Sequence, residues 1–285
     1  MTEAATRSAD HAAHRIASHP AQRTLVALAA IVFALFLGLP VVALVARALL
    51  DGALGTALLS GAVLAALSLS LATTAVSLLI TVIIGLPLAL VLARRSFRGK
   101  WLIEALIDLP IVLPPSVAGL SLLLVFGRRG LLGGPLELAG LEIPFTTAAV
   151  VLAQVFVSAP FFIRAARAGL AAVDRDLEDA ARVDGASELQ LFRSVTLPLA
   201  SAALSAGLVM SWARALGEFG ATIMFAGNIE GHTQTLPLVV YAEFQAGSLD
   251  ASVAAAAVLV VAALAVLIAV RVLHWSWAFD VRSIG

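Results

Sequence analysis

The chain contains no cysteine, one lysine and one tyrosine among 285 residues, and only 13% of its residues are charged. The absence of cysteine excludes disulfides, thiolate metal sites and a cysteine nucleophile. The lone lysine, Lys100, follows Gly99, but Arg94 occupies the position where a GxxxxGK[ST] phosphate loop needs its first glycine. ATP hydrolysis by a P-loop is therefore excluded for this polypeptide. Acidic and basic residues balance at 18 each, which leaves no basic footprint for nucleic acid.

What remains is apolar. Hydrophobic residues make up 61% of the chain, and a mean hydropathy of +1.03 is that of a chain built for lipid. Crossing a bilayer takes about 20 apolar residues. Six stretches suffice: 24–50, 62–93, 101–126, 146–166, 199–226 and 250–273. The prolines and glycines of LGLP (37–40), IGLP (84–87) and DLPIVLPPSVAG (108–119) read as kinks within spans rather than as ends. The apolar run after residue 23 is longer than a signal-peptide core and reads as an uncleaved first span. The expected organisation is a polar tail at 1–23, an all-α membrane domain of six helices at 24–273, and a short tail at 274–285.

Orientation follows from the basic residues. With the N-terminus inside, 14 of the 18 fall on the inner side, Arg47, Arg128 and Arg129 fall outside, and Arg214 lies within a span. The positive-inside rule then predicts an N-in, C-in topology in the cell membrane. The longest polar stretch, about 165–198, is placed in the cytoplasm. Its pattern is helical: Leu177, Ala180, Ala181 and Val183 recur near the 3.6-residue period, and acids crowd the first turn, where they suit the helix dipole. Gly185 reads as a stop, a second short helix is expected over Ser187 to Val195, and Leu197-Pro198 marks the return into the bilayer. Two short helices set at an angle by a glycine make a surface suited to a soluble partner.

This segment resembles the EAA loop of permease subunits of ABC importers. Asp179-Ala180-Ala181 stands at the EAA position, Gly185 at the glycine, and Val195-x-Leu197-Pro198 at the end, with Asp for the usual Glu and Glu178 immediately before it. The stretches LPIVLPPSVAGLSLLLVFGRRGLLG (109–133), ARALGEFGATIMFAGN (213–228) and TQTLPLVVY (233–241) are similar to molybdate-type oxyanion permeases, with sulfate and tungstate permeases as near relatives. The resemblance implies a type I importer fold whose cytoplasmic loop forms coupling helices seated in an ATPase subunit. It further implies two ATPase copies, an extracytoplasmic oxyanion-binding protein, a second permease copy, and ATP used by the partner rather than bound by this chain. Glu178 and Asp179 both stand as the acid that meets the ATPase.

Ionisable residues within spans are costly and point to function by default. Arg214 and Glu218, four residues apart in the fifth span, share a helix face and can pair. The pair reads either as a pathway contact for an oxyanion or as a self-satisfied patch between helices. Gly217, Gly220 and Gly227 around it read as close packing, and Glu104 and Asp108 as interfacial ion pairs. Arg128 and Arg129 stand outside as either a docking point for the binding protein or interfacial anchors. His11, His14 and His19 in the polar tail read as solvated side chains rather than a metal site. A secondary transporter would need its own coupling-ion site. A membrane hydrolase would need a base in the bilayer, and no span contains a histidine.

Overall fold

The computed structural model describes residues 20–282, and the side-chain surroundings of residues 23–268. The described residues are helical, without strands. In chain order the helices are α1 (Pro20–Leu50), α2 (Ala53–Leu59), α3 (Gly61–Arg94), α4 (Lys100–Val112), α5 (Pro115–Phe126), α6 (Gly133–Leu138), α7 (Thr147–Ala171), α8 (Arg175–Val183), α9 (Glu188–Leu191), α10 (Leu197–Leu216), α11 (Gly220–Phe225), α12 (Leu236–Gln245) and α13 (Leu249–Arg282). Five stretches are long and apolar enough to cross a membrane (α1, α3, α7, α9 through α10, and α13), and the α4–α5 pair makes a sixth if counted as one span. The three histidines of the N-terminal tail lie outside the described residues.

Two expected spans are broken. Residues 101–126 do not form a kinked helix: the chain breaks at Leu113–Pro114, and α4 and α5 differ in direction by 120°. Consecutive prolines at 114 and 115 remove two backbone donors, and Leu113 takes the extended conformation favoured before proline (φ −69°, ψ 134°). By contrast, Pro40, Pro87 and Pro160 sit inside unbroken helices. The fifth span ends at Leu216 instead of running to 226, because Gly217 closes α10 and a separate short helix, α11, begins at Gly220. The sixth helix continues to Arg282 through residues read as a tail.

Helix α7 is the hub. Ala149, Val150, Ala153 and Val157 on its first half pack with Ala118 and Leu122 of α5 and with Ala221 and Phe225 of α11. Its second half, from Phe162 to Leu170, packs with Ala89 of α3 and with Ala200 and Leu204 of α10. Small residues let α7 and α10 approach closely, as lipid-embedded helices require. A Cβ on Gly169 would lie 2.4 Å from the Ala203 Cβ, and one on Gly207 would lie 2.8 Å from the Ala165 Cβ. A third cluster joins α2, α3, α12 and α13 through Ala57, Val63, Leu236 and Ala255. The most apolar window of α1 buries nothing within the chain, so its Leu, Ile and Phe side chains face outward.

Candidate functional site

The α8–α9 loop is built from local signals that the sequence states openly. Asp174 caps α8 by accepting from the Asp176 backbone N–H at 3.0 Å, and Asp176 and Glu178 occupy the first turn. At the other end Gly185 takes φ +86°. Its N–H reaches the Arg182 carbonyl and the Ala186 N–H reaches the Ala181 carbonyl, each at 3.0 Å. Those two bonds satisfy carbonyls left open by the helix end, and they require a left-handed residue at 185. Ser187 and Gln190 then form a reciprocal capping box that starts α9.

The second helix departs from expectation. It does not stop at Val195 or turn at Leu197-Pro198. Phe192–Thr196 forms a π turn that runs directly into α10. Pro198 cannot donate to the Ser194 carbonyl and its ring would crowd it, and one extra residue in the turn relieves that conflict. The consequence is orientation: Thr196 is turned inward and is 1% exposed.

Thr196 meets Glu178 there. The Glu178 carboxylate is buried within its own chain, where Oε1 accepts from Thr196 Oγ1 at 2.7 Å and from Arg94 Nη2 at the end of α3. Arg94 also donates to the Val173 carbonyl at 3.4 Å. One oxygen thus joins three elements: the end of α3, helix α8, and the π turn leading into α10. Asp179 is instead exposed, with 70% of its side chain accessible, and accepts from Arg182 Nη1 at 2.7 Å. Arg182 also donates to Glu188 at 2.9 Å, tying α8 to α9. The Glu188 bond, followed by the Asp179 bond, holds the Arg182 guanidinium above its ordinary pKa.

Several apolar side chains of the loop are exposed where a soluble helix would bury them, although Leu191 is buried at 4%. Leu177 is 51%, Val183 87% and Leu189 60% exposed, while the acid Glu178 is buried. Ala180 is also exposed, and Ala181, Val195 and Leu197 are half-buried. A surface that buries Glu178 and leaves Leu177, Val183 and Leu189 in solvent is built to be covered.

Arg214 and Glu218 are brought together, though not as neighbours on one helix. Glu218 lies beyond the end of α10, 1% exposed, with Oε2 at 2.5 Å from Arg214 Nη1. Its Oε1 accepts from the Ala221 N–H at 2.6 Å and so starts α11. Gly220 packs on Pro115, where a Cβ would come within 2.8 Å of the proline Cβ. The pair therefore fixes the corner between α10 and α11, with Arg214 partly accessible at 29% of its side chain. In the loop after α5 Arg128 is paired with Glu142 at 2.8 Å, which raises its pKa, and Arg129 is exposed with no partner among the described residues. Glu104 and Asp108 pair with Arg167 and Arg164 of α7.

Sequence reasoning missed a polar seam in the core. Ser70, Thr73, Thr74, Ser77 and Thr81 fall on one buried face of α3. Gln154 of α7 accepts from Ser77 at 2.8 Å and donates to Thr74 at 3.4 Å. The recurrence of Ser and Thr at helical spacing within LSLSLATTAVSLLIT was the available signal. No group of three His, Cys, Asp or Glu able to hold a metal occurs among the described residues.

Comparison with known proteins places this architecture. The chain is 46% identical to the molybdenum transport system permease protein ModB of Mycobacterium tuberculosis over 205 residues, covering 72% of this chain and 77% of that protein. It is 40% identical to a probable molybdenum ABC transporter permease of Haloferax volcanii over 253 residues, covering 88% and 90%. Its fold matches a chain of a bacterial ABC transporter that imports alginate, with a TM-score of 0.71 at 17% identity over 92% of this chain and 98% of that one. Residues 85–275 match the model of the binding-protein-dependent transport system inner membrane component. The chain is a multi-pass membrane protein and belongs to that family of transport permeases.

Proposed function

We propose that this chain is the membrane-spanning subunit of an ATP-driven importer that moves molybdate inward by alternating access. Two copies form the pathway, an extracytoplasmic binding protein delivers the oxyanion, and two copies of a separate ATPase subunit supply the driving force. The observation that carries the reading is the inverted burial of α8: Glu178 inside, Leu177 and Val183 outside. Such a face, at the end of the molecule richest in arginine, suits a soluble partner in the cytoplasm. The substrate rests on the likeness to molybdenum permeases.

Within this reading the two acids have different tasks. Asp179, with Leu177 and Val183, meets the ATPase, while Glu178 passes the displacement of α8 to α3 and α10. Arg214 and Glu218 hold the α10–α11 corner beside the pathway, and Arg129, a cation without a partner among the described residues, stands on the side where the binding protein docks. A conformational change requires that ATP closure favour one arrangement of these spans over the other. The close contact of α7 with α10 makes the arrangement discrete rather than elastic.

The test is reconstitution in vesicles with the cognate ATPase and binding protein, measuring uptake of molybdate, tungstate and sulfate separately. ATP-dependent molybdate uptake is expected. Uptake of none of the three, or uptake that persists without ATP, overturns the proposal.

A further inference from the structure

A cavity of about 520 Å³ opens between the end of α3 and the α8–α9 loop. Four arginines line it, Arg94, Arg95, Arg175 and Arg182, against three acids. Two of these arginines are committed, Arg94 to Glu178 and Arg182 to Asp179 and Glu188. Arg95 and Arg175 are exposed, and their side chains make no ion pair or hydrogen bond among the described residues. Two free guanidinium groups at one cavity present paired donors of the kind that fit a phosphate.

The floor of the cavity distinguishes the source of that phosphate. Val91 lines the cavity and is 41% exposed. It is also the last member of an apolar column on α3, where Val76, Leu79, Ile83, Pro87 and Val91 recur every three or four residues and are all exposed. The column runs along the span and ends beneath Arg95. A free tetrahedral anion would use the arginines alone. A phospholipid would use both, with its headgroup on the arginines and its chains along the column. The exposed residues Leu177, Val183 and Leu189 are absent from the cavity lining, and of the residues proposed to meet the ATPase only Asp179 belongs to it, so a partner seated on the loop reaches the cavity at that residue alone.

We infer that this cavity binds the headgroup of an anionic phospholipid, held by Arg95 and Arg175 with its acyl chains against the α3 column. The site needs only that the chain span a membrane, and it is separate from the identity of the transported ion. Its effect is to hold lipid against the elements that Glu178 joins.

The experiment is native mass spectrometry of the intact permease–ATPase complex after exchange into bilayer discs of phosphatidylglycerol and phosphatidylcholine. The wild type is expected to retain about one phosphatidylglycerol per permease chain and no phosphatidylcholine. Arg95→Gln with Arg175→Gln should reduce that retention roughly tenfold, equivalent to about 1.4 kcal/mol. The corresponding double lysine variant should keep most of it. Three outcomes overturn the inference: unchanged retention in the glutamine variant, equal retention of phosphatidylcholine, or displacement of the lipid by inorganic phosphate or molybdate. Absence of molybdate uptake would bear on the proposed transport function and would leave this result unaffected.

Discussion

Glu178 and Asp179 are adjacent in sequence and differently placed, the first buried in a bond with Arg94 and Thr196, the second exposed to solvent beside Arg182. Their substitutions should therefore fail differently. Glu178→Ala leaves Arg94, whose side chain is 18% exposed, without its carboxylate, a loss of about 2 kcal/mol by the measure of unpaired buried polar groups. The expected outcome is a complex that still assembles and hydrolyses ATP but takes up several-fold less anion per ATP. Asp179→Ala should instead weaken capture of the ATPase while the isolated permease melts at the wild-type temperature. Affinity of purified permease for ATPase, measured beside the uptake stoichiometry, separates the two. If both variants lost only affinity, Glu178 would be a contact residue and not a link.

The exposed apolar face gives a second, simpler expectation. Replacing Leu177 or Val183 by Glu puts a charge where the free chain already meets solvent, so its stability should change by no more than about 0.5 kcal/mol. Association with the ATPase should fall at least tenfold, because a charge would be buried without a partner in the complex. Unaltered association of both variants would remove this face from the docking surface.

Gly185 tests backbone conformation apart from space. A Cβ built there meets nothing within 4 Å, yet φ is +86°, so any penalty is torsional. A non-glycine residue in the left-handed region costs about 1–2 kcal/mol, with Asn the least affected. Gly185→Asn should then retain most uptake, whereas Gly185→Val should lose the angle between α8 and α9 and uncouple ATP hydrolysis from transport. Equal uptake by the two variants would show that the angle carries no coupling.

The span count, the loop and its glycine stop were readable because hydropathy, capping and φ preference are local properties. The facing of Glu178 was not, since it depends on Arg94, 84 residues earlier, and on a π turn created by Pro198. The same limit explains the broken spans: Pro40, Pro87 and Pro160 are absorbed within helices, whereas the Pro114-Pro115 pair breaks one. Whether a proline kinks or ends a helix depends on what satisfies the freed carbonyls nearby. Arg214 and Glu218 illustrate a further case. Their pairing was expected from i, i+4 spacing on one helix, but it is made across a helix end, with Glu218 serving the start of α11.

That last pair yields a test of its role. Arg214→Gln leaves the Glu218 carboxylate, 1% exposed, without a counter-charge, and breaking such a pair from one side costs about 3–5 kcal/mol. Glu218→Gln keeps an oxygen for the Ala221 N–H and leaves the partly accessible Arg214 unpaired, so it should cost less. Thermal unfolding in detergent should rank the variants in that order, and uptake should follow stability. Normal stability with lost uptake in Arg214→Gln would instead make the guanidinium a contact for the anion.

The contact between α7 and α10 offers the sharpest structural test. Gly169→Ala places a methyl group 2.4 Å from the Ala203 Cβ, and Ala203→Gly removes the atom it strikes. The single change should cost about 1–3 kcal/mol through overpacking, and the double variant should recover most of it if the two helices keep their native separation. Because both helices flank the coupling loop, the single variant should also reduce uptake more than ATP hydrolysis, and the double variant should restore both. Failure of Ala203→Gly to recover stability, measured by thermal unfolding beside uptake, would mean that α7 and α10 yield to the added methyl and do not move as one body.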